Sequence, residues 1–236
     1  FRDAILKPRD DGIGSGSGSG SSGSSLEGPL ALATGLGKRV LLVDHQDSFV
    51  HTLANYLRQT GAFVQTIRYG ATKNEIFQCH PDLVVLSPGP GKPSDFNLSS
   101  TIEHCIALKI PMFGVCLGLQ GMVEHFGGTL GVLDYPMHGK PSTICLSSFD
   151  KGGGGGGGAI FDGIPPTFKV ARYHSLYATL IPDSLRVTAT TENGIVMGGK
   201  IMLYLTYFVL IFLHVSPFAQ TFDTFIFFFN IVYTFG

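Results

Sequence analysis

From Arg39 onward the chain alternates unbroken apolar runs with amphipathic stretches. Val40-Leu41-Leu42-Val43 and Leu83-Val84-Val85-Leu86 show no polar alternation, the pattern of strands covered on both faces. Phe63 to Ile67 predicts another strand, and Pro111-Met112-Phe113 an apolar strand leading into Gly114. Between them Phe49, Val50, Leu53, Ala54 and Leu57 fall on one side of a helix that Asp47 or Ser48 can cap and Gly61 can end. Lys73 to Gln78 predicts a short helix, Asn97 to Leu108 a longer one, and Leu117 to about Phe126 a last one, closed by Gly127-Gly128. Strand and helix in repeated alternation imply an α/β fold, a doubly wound and mostly parallel sheet with flanking helices. Past Gly128 the pattern changes to strand-like pieces at Thr129 to Leu133, Ser142 to Leu146, Thr167 to Ala171 and Leu185 to Ala189.

The 236 residues suffice for one sizeable domain with appendages. Residues 14–25 are only Gly and Ser, a composition that buries no core and spans about 20 Å as a flexible coil, so 14–37 reads as a linker. The opening at Phe1 reads as the end of something already under way, and Gly152 to Gly158 as an insertion in a surface turn. A net charge of -1 and a pI near 6.8 give no electrostatic reason to expect nucleic acid. Cys79, Cys105, Cys116 and Cys145 form no C-x-x-C pair, no metal-ligand set is expected, and no signal peptide opens the chain. A reducing, cytoplasmic setting is the simplest reading.

Candidate chemistry centres on Gly114-Val115-Cys116-Leu117-Gly118-Leu119-Gln120-Gly121. An apolar strand that ends in Gly-x-Cys-x-Gly and continues as a helix is the cysteine form of a nucleophile elbow. The helix dipole there lowers a thiol pKa, and the Leu117 amide points where an oxyanion forms. The bland alternative is a small buried hydrophobe. Ser87-Pro88-Gly89-Pro90-Gly91-Lys92-Pro93 can be neither helix nor central strand, and its glycines let backbone approach a ligand. It follows a strand expected to neighbour the elbow strand, where open α/β sheets bind ligands. Arg172-Tyr173-His174-Ser175-Leu176-Tyr177 is rich in polar chemistry, although a lone histidine there is more often structural than catalytic.

Segments 114–121, 87–93 and Tyr-His-Ser-Leu at 173–176 stand in the order and spacing of class I glutamine amidotransferases. Val-Asp-His-Gln-Asp-Ser-Phe-Val-His-Thr-Leu-Ala-Asn-Tyr-Leu-Arg at 43–58 resembles more narrowly the amidotransferase half of fused anthranilate synthases, component II of that enzyme. The resemblance implies a domain over 38–197, preceded by the tail of a chorismate-using domain in residues 1–13. It implies a glutaminase without cofactor, which supplies ammonia to a chorismate-using partner making anthranilate for tryptophan biosynthesis. Cys116 would form a glutamyl thioester, Leu117 and Gly89, Pro90 and Gly91 would contact oxyanion and substrate, and Gln120, Ser175 and Leu176 would hold glutamine. The amidotransferase of aminodeoxychorismate synthase and a non-catalytic glutamine-binding or scaffold protein are the alternatives.

The resemblance stops after Met197. The family completes a Cys-His-Glu triad with a Phe-His-Pro-Glu-type motif, whereas here Glu192 is the last glutamate and His214 is followed by Val215-Ser216-Pro217. Residues 198–236 form an apolar tail outside the family pattern, and Ile201 to Leu213 is apolar but for Thr206. Sequence foreign to the fold is the favoured reading; a membrane anchor and a strand-rich replacement are the others. An impaired triad follows from the resemblance.

Overall fold

The computed structural model describes residues 35–147, 161 and 164–202, together with the backbone of 206–210. The linker, the glycine tract and the tail beyond Leu210, His214 included, lie outside the described residues. The elements come in the order β1 (Arg39–Asp44), α1 (Val50–Gln59), β2 (Phe63–Arg68), α2 (Lys73–Gln78), β3 (Leu83–Leu86), a 3₁₀ turn (Pro93–Phe96), α3 (Leu98–Leu108), β4 (Met112–Val115) and α4 (Leu117–His125). Long β5 (Thr129–Leu146) and β6 (Thr167–Leu180) follow, then β7 (Leu185–Thr191), β8 (Val196–Met202) and β9 (Thr206–Leu210).

All nine strands share one sheet, in the order β2-β1-β3-β4-β9-β8-β7-β5-β6. From β2 to β9 every neighbour is parallel; from β9 to β6 every neighbour is antiparallel. The parallel half is the doubly wound α/β unit. Its central strands are buried along their length, and Leu53, Leu57, Ile102, Leu119 and Met122 bring helix side chains into the same core. Each such side chain fully removed from water contributes roughly 1.5–3 kcal/mol.

Local signals place the ends of the helices. Thr72 caps α2 through a reciprocal bond with Glu75. In α1 the expected cap acts slightly earlier: Asp47 Oδ1 accepts the Phe49 amide at 2.7 Å, and the helix starts at Val50. Asn97, at φ +47°, separates the 3₁₀ turn from α3, so that helix begins one residue later than its pattern suggests.

The antiparallel half departs more from expectation. Thr129 to Leu133 and Ser142 to Leu146 are the two ends of a single strand, and the segment 172–177 lies within β6 rather than after a strand. Pro136 and Gly139 look like breaks because they sit at register shifts, between Val132 and Met137 and between His138 and Lys140. The sheet also continues past Met197. Gly198 and Gly199 are needed in β8, since a Cβ on Gly199 would stand 2.5 Å from Leu185 Cδ2 and one on Gly198 3.0 Å from Thr188 Oγ1. β9 then pairs parallel with β4, Gly114 opposite Val209 and Val115 opposite Leu210.

The α4–β5 turn tests this packing. A Cβ on Gly128 would meet the Leu180 carbonyl oxygen at 2.6 Å and Pro182 Cδ at 2.9 Å. Gly128→Ala should destabilise the domain by about 1–3 kcal/mol, and calorimetry should show a fall in melting temperature of roughly 3–10 °C. An unchanged melting temperature would contradict the contact.

Candidate active site

Neighbouring parallel strands β3 and β4 pair Leu86 with Gly114, so the chain leaves both at one carboxyl edge of the sheet. Cys116 turns the chain from β4 into α4 with φ +53° and ψ −101°, a strained conformation for any residue with a side chain. The turn is this tight because three backbones pass within a methyl group of one another. A Cβ on Gly114 would lie 2.6 Å from the carbonyl carbon of Gly118, and one on Gly118 2.6 Å from the Leu86 oxygen. The strand–elbow–helix geometry expected from Gly-x-Cys-x-Gly is present.

The loop after β3 packs directly against the elbow. A Cβ on Gly89 would meet Leu117 Cδ2 at 2.6 Å and the His45 carbonyl oxygen at 2.8 Å. Gly91 has φ +70°, and Asp95 steadies the far end of the loop by accepting the Lys92 amide at 2.9 Å. Gly89, Pro90, Gly91, Cys116 and Leu117 are thereby brought to one place.

His45, the residue that follows β1, anchors this loop. It is fully buried; its amide donates to Ser87 Oγ at 2.9 Å, and its Nδ1 lies 3.2 Å from both Ser87 oxygens. Ser87 Oγ spends its own proton on the Pro88 carbonyl at 2.7 Å, so the ring donates from Nδ1. Phe96 stacks edge-on against the imidazole, ring centres 5.6 Å apart. Burial lowers the His45 pKa to about 4, the Ser87 carbonyl and Asp44 opposing, so the ring is neutral at pH 7. The available signal was the polar pair Asp44-His45 directly after the apolar run Val40 to Val43.

A second wall comes from β6. Gln120, buried in α4, donates from Nε2 to the Leu176 carbonyl at 3.4 Å, joining the elbow helix to the 173–176 segment. Ser175 stands opposite the bulge Leu133–Pro136 and has no partner in the β5–β6 register. Both rings of this site's histidines are neutral, since burial also lowers the His174 pKa to about 4.

The thiol does not follow the dipole argument. Burial pushes the Cys116 pKa up to about 12; the Leu117 amide bonded to it pulls down, and the Asp47 carboxylate pushes further up. Asp47 is the other residue missed from sequence, where it reads only as a cap. The two rings nearby differ in what they leave open. His45 Nδ1 is engaged with Ser87 and its buried Nε2 has no hydrogen-bond partner among the described residues, while His174 uses Nδ1 on the Leu176 carbonyl and Nε2 on Arg172.

The model of the class-I glutamine amidotransferase family matches residues 41–202. The chain belongs to that family. It is 54% identical over 172 residues to an anthranilate synthase of Azospirillum brasilense, an alignment covering 72% of this chain and 22% of that protein. It is 37% identical over 163 residues to an anthranilate synthase component 2 of Halobacterium salinarum, covering 66% of this chain and 78% of that one. A glutamine amidotransferase of known structure from Thermotoga maritima superposes with a TM-score of 0.55 at 18% identity, over 73% of this chain and 74% of that one; this likeness is one of fold. The chain thus spans about a fifth of the Azospirillum relative. Class-I amidotransferase character and the elbow geometry agree.

Two outcomes follow from the electrostatics. At pH 7 a thiol of pKa about 12 is ionised in about one molecule in 10⁵. Iodoacetamide should therefore label Cys116 slowly at pH 7, about tenfold faster per pH unit toward pH 10, as read by mass mapping. Rapid labelling at pH 7 would show this half-buried thiol ionised despite the desolvation around it. The two neutral histidines add acid lability. Unfolded imidazoles take up protons below about 6.5 while folded His45 and His174 resist until about 4, so stability present above pH 6.5 is lost as pH falls toward 4. Each contributes on the order of 3 kcal/mol over that window. His45→Gln should flatten the melting-temperature profile between pH 4 and 6.5; a profile as steep as the parent's would contradict a neutral His45.

Proposed function

We propose that the chain is the glutamine amidotransferase part of an anthranilate synthase, built to release ammonia from the side-chain amide of glutamine for a chorismate-using partner, fused or separate. The observation that carries this reading is the contact of Gly89 with Leu117 beside Cys116, which gives a thiol, an amide donor and a glycine loop converging at one sheet edge. Its support beyond geometry is the identity to proteins named anthranilate synthase.

In this reading glutamine lies along the carboxyl edge of β3 and β4. Gln120, Ser175 and Leu176 hold it, and the amide carbonyl oxygen faces the Leu117 N–H and the Gly89-Pro90-Gly91 loop. The Cys116 sulfur attacks the amide carbon, the carbon–nitrogen bond breaks, and the thiol proton leaves with nitrogen as part of ammonia. Water then cleaves the thioester, returning the thiol and glutamate. The proton transfer is the weak step. The thiol is held protonated, both ring nitrogens of His174 are engaged, and the neutral His45 leaves only a buried Nε2 that no described hydrogen bond links to the thiol. Glutamine binding with slow turnover is the expected behaviour. Among the described residues no helix is long and apolar enough to cross a membrane, and no group of side chains is set to hold a metal.

Ammonia release by this chain should be compared with release by a version whose residues after Met202 carry the family's Phe-His-Pro-Glu-type ending. A positioned general acid–base typically contributes about 10²- to 10⁴-fold, and the exchanged chain should gain within that range. Equal rates would mean that a group elsewhere already moves the proton. Failure of both chains to bind glutamine would sink the amidotransferase reading of the pocket.

A further inference from the structure

Behind Leu176 runs a line of hydrogen bonds that the proposed reaction does not use. His174 is buried, its Nδ1 2.8 Å from the Leu176 carbonyl oxygen and its Nε2 accepting from Arg172 Nε at 2.9 Å. A guanidinium only donates, so Nε2 carries the lone pair and Nδ1 the proton; the ring is locked in one neutral tautomer. The same Leu176 carbonyl receives the Gln120 amide from α4. At the outer end Arg172 reaches Ser142 Oγ of β5 at 3.4 Å and borders a cavity of about 660 Å³, whose other charged groups are Asp134, Lys169 and Glu192. No elbow residue lines that cavity.

Two observations argue that this line does more than fill space. Met137 pairs with His174 and Val132 with Leu176, so ladder pairing is interrupted at Ser175 between them, and side chains of β6 and α4, His174 and Gln120, converge on the Leu176 carbonyl beside that gap. Arg172 is buried with its Nη2 lacking a hydrogen-bond partner among the described residues, a desolvation that a packing role alone does not explain.

We propose that Arg172 and His174 are positioning residues that fix the Leu176 carbonyl and, through it, the Gln120 amide at the glutamine pocket. The inference rests on the glutamine reading above. Neither residue needs to touch substrate: Arg172 aims the imidazole, the imidazole holds the carbonyl, and the carbonyl orients Gln120.

The test uses the full chain and two measurements. Glutamine affinity by calorimetry should weaken about tenfold in Arg172→Met and His174→Phe, while His174→Asn, which keeps a donor for the Leu176 carbonyl, should stay within about threefold of the parent. Iodoacetamide labelling of Cys116 at pH 9 should change less than twofold in all three, which separates positioning from general damage to the fold. Nuclear magnetic resonance of the parent should find the Nδ1–H tautomer of His174 at pH 7, and the side-chain amide signal of Gln120 should shift in Arg172→Met. An Nε2–H tautomer, an unmoved Gln120 signal, or unchanged affinity in His174→Phe would overturn the proposal. A parent that binds no glutamine but shows the expected tautomer and Gln120 shift would count against the glutamine reading and leave the line of bonds established.

Discussion

The approach of Gly114, Gly118 and the Leu86 carbonyl is the constraint from which the site follows. With gaps too small for a Cβ, β4 can enter α4 only through a turn that drives Cys116 to positive φ and lifts it out of the sheet. The same closeness puts the start of α4 under the loop leaving β3, so that loop must also be glycine where it crosses Leu117. Strain of this kind costs on the order of 1–3 kcal/mol and persists because the buried strands on either side leave no alternative path. Sheet, elbow and loop are one object, and a methyl group added at Gly118 would disturb all three.

What the sequence discloses depends on whether a constraint leaves a pattern. Strands buried on both faces have to be apolar throughout, so β1, β3 and β4 can be read directly from Val40 to Val43, Leu83 to Leu86 and Met112 to Phe113. Elbow and loop are readable for a similar reason, because close backbone approach demands glycine at set positions. The antiparallel half is opaque where it bulges: Pro136 and Gly139 are turn residues by type, and only the partner strand reveals that β5 carries them at register shifts. β8 leaves no strand pattern of the usual kind either, because its Gly198 and Gly199 answer to Leu185 and Thr188 across the pair. His45, Asp47 and the Arg172–His174 pair have no spacing that marks them. Each gains its role from a neighbour distant in sequence.

Geometry and ionisation separate at Cys116. A helix N-terminus favours an anion by about 0.3–1 kcal/mol, up to about 2 in favourable burial. Against this, raising a thiol from its ordinary 9.0 to about 12 corresponds to about 4 kcal/mol. Desolvation wins because Leu117 and Leu119, together with the floor of the sheet, wrap the start of α4 in apolar side chains, and the charge acting on the sulfur is the carboxylate of Asp47. The elbow motif specifies where the sulfur stands, not whether it is ionised.

In the proposed reaction the thiol proton needs an acceptor at this edge of the sheet, an edge that β9 also reaches. β9 lies parallel to β4 with Val115 opposite Leu210, so the chain leaves β9 at the level of Cys116 and on the same carboxyl side. The residues that follow are Ile211, Phe212 and Leu213, none of which can accept a proton, before His214. The contacts that join Gly89 to Leu117 and Gln120 to Leu176 are all made among residues that come before that point. The sheet alone settles where the sulfur and the loop stand, and a proton acceptor is a separate requirement that the proposed glutamine chemistry adds to it.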